Sequence, residues 1–409
     1  MDKKLVITGM GVITPIGNTV DAYWDNLIAG KTGVDLITSI DTTDIPVKFA
    51  GEVRDFDPKN YMPRKLSTEM DRFMQMAYAA AGQALEQAGG VQEPRRTGII
   101  MGTALTGITT VTETEKKYNE AKVKKVGPRF LAKCIGNIGA SQIAIAHEIH
   151  GPSMTLATAC ASGGDAISLC AMHLQAGFAD MMIAVGAEAL VTAILIQSLA
   201  SAQALSTRND DPAGACRPFD VDRDGFVIGE GAGALVIETE EHALARGARI
   251  YGVLAGYGNN TDAYHTVTPK PDGSGEIACM KQALEMAEID PSEIGYVNAH
   301  GTATIKGDIT EDLSVMTVFG EDSSVKIGST KAATGHMMGA GGITEVITCL
   351  KALETGLLPP TLNLEHQDPE CVMQYVSEVC EAPGIRYAMS NAFGFGGQNS
   401  SVIVGKYDG

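Results

Sequence analysis

The sequence predicts an α/β protein in which layers of helices alternate with sheets and two similar halves share one chain. Three observations carry this. Short apolar runs alternate with helical stretches along the whole length, the pattern of βαβ units. Glycine contributes 47 of the 409 residues while aromatics make up only 5%, which suits close backbone packing and many turns. The stretch ACASGGDAISLCAMHLQAG also echoes HMMGAGGITEVITCLKALETG. Each has a turn of tiny residues, a glycine pair (Gly163–Gly164 and Gly341–Gly342) and an apolar helix ending in glycine. Duplication would produce this echo, and so would the general likeness of Gly/Ala-rich helices.

The elements follow in order. KKLVITGMGVI reads as a strand, and DAYWDNLIAGKTG as a helix stopped at Gly30. STEMDRFMQMAYAAAGQALEQAGG is a longer helix with its own glycine stop. RTGIIMGTAL, DMMIAVGAEAL, GALVIETEEHA and RIYGVLAGYG read as buried strands, apolar on both faces. No low-complexity linker intervenes. A helix gives way to a new strand near residues 246–252, which divides the halves as 1–250 and 251–409.

Apolar residues make up 44% and charged residues 20% of the chain, the proportions of an ordinary globular protein. No run approaches the roughly 20 apolar residues of a membrane span. The N-terminus lacks a small-residue cleavage site and suits a strand and turn, so the cytoplasm is the expected location. The eight cysteines show no CxxC pair or zinc-ligand spacing, and most are expected to be buried free thiols. A net charge of −18 argues against general nucleic-acid binding. It leaves room for an acidic protein partner wherever positive charge is concentrated locally.

Cys160 stands apart from the other seven cysteines. Small residues surround it (Thr158, Ala159, Ala161, Ser162, Gly163, Gly164), and an apolar helix follows. A helix N-terminus favours negative charge, so the thiol pKa is expected to be lowered. The small side chains let backbone amides approach an oxyanion. In YVNAHGTATIKGDITED, His300 ends a strand and faces glycine and threonine. In VKIGSTKAATGHMMGAGG, Lys331 precedes His336 at another turn into a small-residue helix, a lean setting for a surface lysine. SNAFGFGGQNSSVIV puts Phe393 and Phe395 in a glycine-rich loop able to move. One cysteine and two distant histidines make a nucleophile–base pattern if the fold unites them.

Together these motifs resemble the β-ketoacyl-acyl-carrier-protein synthases, condensing enzymes of the thiolase-like superfamily, with synthase II of bacterial fatty-acid synthesis the nearest likeness. The resemblance runs from VITGMGVITPIGN through ALSTRNDD, RPFDVDRDGFVIGEGAG and DAYH to FGFGG. It implies the thiolase fold: two similar halves, each a five-stranded sheet, stacked as α-β-α-β-α layers. It implies that Cys160 takes an acyl group from a carrier protein and that malonyl carrier protein then loses CO₂ and attacks the thioester. On the same grounds His300 and His336 hydrogen-bond the malonyl thioester carbonyl. Lys331 pairs with Glu311 and orients them, with Asp308 in support. The amides of Cys160 and Phe395 form an oxyanion hole. Phe395, beside Phe393, gates the acyl chain, and Thr302 and Thr304 bind the pantetheine amides. Leu105 and Ile108 fall where the family lines its acyl pocket. Asn298, Glu345, Ser390 and Asn391 match a sodium or potassium site of relatives. Catalysis needs no cofactor, and the family's dimer implies a homodimer, or a heterodimer in a polyketide system.

The chain also departs from the pattern. HGTATIKGD replaces the usual HGTSTPxGD, and the segment GPRFLAKCIGNIG is shorter than in relatives, which leaves chain-length preference open. Arg64, Lys65 and Arg208 match basic carrier-docking positions, whereas Thr68 and Glu69 occupy positions often basic. Lys124, Lys125 and Arg129, in KKYNEAKVKKVGPR, are expected to compensate. A ketosynthase subunit of a type II polyketide or polyene system is the alternative reading. Retention of Cys160, His300 and His336 argues against a non-catalytic chain-length-factor-like partner, and the histidine pair with Lys331 against a thiolase proper.

Overall fold

The structure, a computed structural model, describes residues 3–409. The chain begins its first half with β1 (Leu5–Ile13), followed by β2 (Thr97–Gly102), β3 (Ser153–Leu156), β4 (Met181–Glu188) and β5 (Gly231–Thr239). A second set comprises β6 (Gly252–Thr261), β7 (Ile294–Asn298), β8 (Lys326–Gly328), β9 (Tyr387–Gly394) and β10 (Gln398–Gly405). All ten form one sheet, ordered β8-β7-β9-β10-β6-β1-β5-β4-β2-β3.

The two sets repeat one topology. Read outward from the centre, each runs first strand, fifth, fourth, second, third. Directions repeat as well. β2 is parallel to β3 and β4, as β7 is to β8 and β9, and β5 and β10 are antiparallel to both neighbours. An antiparallel ladder from β1 to β6, pairing Leu5 with Leu254 and Ile7 with Gly252, joins the two five-stranded sets.

Five helices make the layers: α1 (Arg72–Gln87), α2 (Ser162–Gln175), α3 (Ser274–Ala287), α4 (Ile305–Phe319) and α5 (Gly341–Thr355). α1 covers the outer face of the first set against β1, β4 and β5, and α3 covers the second against β6 and β10, with α4 beside it. α2 and α5 lie between the sets and touch each other, completing the α-β-α-β-α stack.

Local sequence explains the fit. Asp71 caps α1 by accepting the Phe73 amide, so the helix starts there and not at Ser67. Its alanine face (Ala77, Ala80, Ala81, Ala84) is fully buried. A Cβ at Gly9 or Gly11 of β1 would strike the Ala84 or Ala80 carbonyl, so the strand carries glycine where the helix rides closest. β1, β2, β4 and β5 are buried along their whole length, as continuous apolar runs predict, whereas β6 emerges at its C-terminal end. The sequence echo falls on α2 and α5, which hold equivalent places in the two sets.

Candidate active site

The two central helices bring the distant motifs together. Cys160 lies in a one-turn 3₁₀ segment, Ala159–Ala161, that leads into α2. Ala159 before it adopts φ = 50°, a left-handed conformation unusual for a residue with a Cβ. His300 follows β7, and its amide and that of Gly301 donate to Glu311 Oε1 and Oε2 at 2.8 and 2.7 Å. His336 precedes α5 and is held by its own backbone: its amide donates to the Val227 carbonyl at 2.7 Å and its carbonyl accepts from Gly229 at 2.9 Å.

These placements put His336 Nε2 3.1 Å from Cys160 Sγ. The His300 and His336 rings meet edge-on at 5.2 Å between centroids. One ligand atom from each of the three residues lies within 4.8 Å of the others. The Phe226 ring stands edge-on to His336 at 5.4 Å, and Phe393 lies 6.1 Å from His300. A cavity of about 470 Å³ opens onto this group, lined also by Thr302, Thr304 and Phe395. The two threonine hydroxyls lie 3.1 Å apart. Neither histidine's Nδ1 has a hydrogen-bond partner among the described residues.

The electrostatics differ from the expected lowering of the thiol pKa. Burial dominates and pushes the Cys160 thiol up to about 11, against the opposing effects of the Phe395 amide and the Lys331 charge. Burial, then Lys331, holds both histidines well below the usual imidazole range. The resting site is therefore a neutral thiol facing two neutral imidazoles.

Lys331 also differs from expectation. Its ammonium bonds Glu345 Oε1 at 2.5 Å, both side chains fully buried, rather than Glu311. Glu311 is spent on the His300 and Gly301 amides, and burial raises its pKa to about 7. Asp308 is a backbone clamp. It accepts from the Phe219 and Ala303 amides at 2.7 and 3.2 Å and faces Arg223 at 3.5 Å. Phe219 and Ala303 carry φ of 63° and 67°, so this carboxylate pins two strained residues beside the threonines.

The remaining expectations divide. Ile108 packs into the apolar cluster that contains Cys160, Leu190, Ile196 and Phe395, but Leu105 is 43% exposed and neither lines the cavity. Of the four matched cation ligands, Glu345 holds Lys331 and Asn391 Oδ1 accepts from Ser401 Oγ at 2.8 Å. Asn298, registered beside Ser390 on the neighbouring strand, keeps one buried oxygen without a partner among the described residues. Arg64, Lys65, Lys124, Lys125 and Arg129 are exposed, and Arg129 reaches Glu69 at 3.3 Å. Arg208 is half-buried and donates to the Asp222 carbonyl at 2.8 Å. Two neighbours of the thiol escaped the sequence reading. Met338 Sδ lies 3.5 Å from Cys160 Sγ, and Phe226 borders the same cavity. Met338 sits two residues past His336, and that proximity was its only signal.

Comparison with known proteins agrees with this architecture. Residues 2–243 match the β-ketoacyl synthase N-terminal domain and residues 251–365 the C-terminal domain. The chain is 40% identical to the 3-oxoacyl-[acyl-carrier-protein] synthase 2 of a Synechocystis species over 99% of its length and 98% of the relative's. It is likewise 40% identical to the synthase of that name from Vibrio cholerae, over 98% of each. Among solved structures it resembles the ishigamide ketosynthase/chain length factor with a TM-score of 0.92 and 32% identity, over 99% of both chains. A type II polyketide ketosynthase solved in complex with its acyl-carrier protein matches with a TM-score of 0.90 and 30% identity, over 99% of this chain and 100% of that one. The chain belongs to the β-ketoacyl synthase family.

Proposed function

We propose that the chain condenses an acyl thioester held on Cys160 with malonyl-acyl carrier protein, giving 3-oxoacyl-acyl carrier protein and CO₂ in fatty-acid elongation. The observation that carries this reading is the 3.1 Å approach of His336 Nε2 to Cys160 Sγ with His300 alongside. A neutral thiol beside a neutral imidazole suits acyl transfer. As sulfur attacks the incoming thioester, its proton passes to His336 Nε2 and then to the departing pantetheine thiolate. The Cys160 and Phe395 amides, which both approach Sγ, would hold the oxyanion of the tetrahedral intermediate.

In the second half-reaction the malonyl C–C bond to CO₂ breaks and its electron pair forms an enolate. His300 and His336, each presenting a ring N–H, hydrogen-bond the enolate oxygen as charge develops there. The enolate carbon attacks the Cys160 thioester. The C–S bond breaks, and the thiolate takes a proton from solvent. Burial keeps both histidines neutral, and the positive charge of Lys331, paired with Glu345, adds to it. Thr302 and Thr304 would receive the pantetheine amides. No step uses a cofactor, and a structural sodium or potassium ion would rest on the orphaned Asn298 oxygen.

The carrier protein would dock on the exposed residues Arg64, Lys65, Lys124, Lys125 and Arg129. A dimer is supported by the open edge strand β3, which carries exposed Met154 and packs against the helix that bears exposed Ile145. Eight free thiols support a reducing compartment, the cytoplasm, and no helix among the described residues is long and apolar enough to cross a membrane. The likeness to polyketide ketosynthases favours a second reading, a polyketide ketosynthase subunit. Mass spectrometry after exposure to acyl carrier proteins of graded length, then to malonyl carrier protein, tests the assignment. An acyl mass on wild type, absent from Cys160→Ala and converted to a 3-oxoacyl product, supports it. Acylation of Cys160→Ala refutes it. Turnover only with an added partner subunit favours the polyketide reading.

A further inference from the structure

One wall of the cavity has no role in the chemistry above. Five carboxyl side chains line the cavity: Asp224, Asp262, Glu276, Asp308 and Glu311. Four accept from amide groups. Asp224 accepts from the Thr207 amide at 3.2 Å, and Asp262 from Asn399 Nδ2 at 2.6 Å and the Lys270 amide at 3.3 Å. Asp308 and Glu311 hold the amides already described. Glu276, in the first turn of α3, is 3% exposed; Ser314 hydrogen-bonds its carboxyl, but its Oε2 is buried with no hydrogen-bond partner among the described residues. Among the described residues the only lysine or arginine on the cavity is Lys306, exposed at its rim.

A lone buried carboxylate is far costlier than the neutral acid. Burial first, then the charge of Glu311, push the Glu276 pKa well above the usual carboxylate range, against the Ser314 hydrogen bond and with a smaller push from Asp262. A protonated carboxyl is a hydrogen-bond donor. Asn399 Nδ2 is already committed to Asn260 and Asp262. Protonated at its free Oε2, Glu276 thus offers an uncommitted donor on this wall, within the field of the Glu311 carboxylate that holds the His300 backbone.

The second substrate of the proposed reaction brings a carboxylate into this cavity. A buried cation there would stabilise that carboxylate against loss of CO₂, because it binds the ground state better than the transition state. A neutral donor can select the carboxylate at a smaller ground-state cost. We infer that Glu276 is a specificity-determining residue whose carboxyl O–H donates to the carboxylate of the malonyl group. The inference rests on the condensation reading. No bond of Glu276 breaks, and once CO₂ departs its acceptor is gone.

The test compares wild type with Glu276→Gln, Glu276→Ala and Glu276→Leu, all as full chains. Acylation of Cys160 by acyl carrier protein is read by intact mass, and KM and kcat for malonyl carrier protein are read separately. Hydrogen bonds to charged groups predict a ten- to roughly hundredfold rise in malonyl KM for the Ala and Leu variants. The acylation rate should hold, and Glu276→Gln, whose amide N–H replaces the O–H, should recover most of the loss. An unchanged malonyl KM in Glu276→Ala overturns the inference. So does equal loss in Gln and Ala, or loss of acylation in all three, since a merely structural role gives those results. Wild type that loads no acyl group would instead overturn the condensation reading, and this inference with it.

Discussion

A Cβ on Gly163 would lie 3.1 Å from the Gly342 Cα and 2.7 Å from the Gly339 carbonyl oxygen, so the two central helices start in backbone contact. Backbone cannot yield as a flexible side-chain end can. Gly163→Ala is therefore expected to cost about 1–3 kcal/mol through overpacking. Gly82, inside α1 with nothing within 4 Å of its Cβ position, makes the contrast. Gly82→Ala should stabilise by about 0.5–1 kcal/mol through helix propensity. Urea unfolding midpoints of the two variants, moving in opposite directions from wild type, check both.

The same contact explains what was legible in the sequence. The paired glycines before two apolar helices were visible because each half repeats one structural need, close approach at a helix start. Apolar runs gave the strands for a similar reason, since both faces are covered. The Lys331–Glu345 pair was hidden, because it depends on how α5 is turned toward the short helix Lys331–Thr334. Its one signal was a glutamate inside the apolar run GGITEVITCLKAL, which demands a buried partner. The thiol pKa was misjudged from local sequence because burial is a property of the whole assembled core, and here it outweighs the helix terminus.

Removing the Lys331 charge should have two separable effects. Glu345 is left buried without its partner, and breaking such a pair costs about 3–5 kcal/mol. Lys331→Met should therefore lower the unfolding midpoint, and adding Glu345→Leu should recover much of the loss. The histidines give the second effect. Lys331 helps hold their pKa values low, so without it they protonate at higher pH. Only the neutral rings can serve, so the acidic limb of the kcat/KM profile should move upward in pH in both variants. A profile that stays in place would remove Lys331 from the electrostatics of the site.

Alkylation of Cys160 tests the neutral resting state. The thiolate reacts, not the thiol, and burial places the pKa at about 11. The fraction ionised then rises about tenfold per pH unit below that value. The rate of iodoacetamide modification at Cys160, followed by peptide mass, should climb steadily from pH 7 to 10. A plateau near neutrality would show a preformed thiolate–imidazolium pair instead.

Charge reversal on the exposed basic surface tests where the carrier protein docks. Lys124 and Lys125 are exposed, and their substitution should leave folding intact. Acyl carriers are acidic partners in the proposed reading, so Lys124→Glu with Lys125→Glu replaces attraction with repulsion. KM for carrier-bound acyl groups should rise severalfold at low salt while kcat holds. The difference from wild type should shrink as ionic strength approaches 1 M, where the Debye length falls to about 3 Å. Acyl transfer from a small thioester without a carrier should be unaffected. If KM for the carrier stays unchanged while Cys160 still alkylates normally, docking lies elsewhere, and the segment around residues 116–129 is simply a solvated surface.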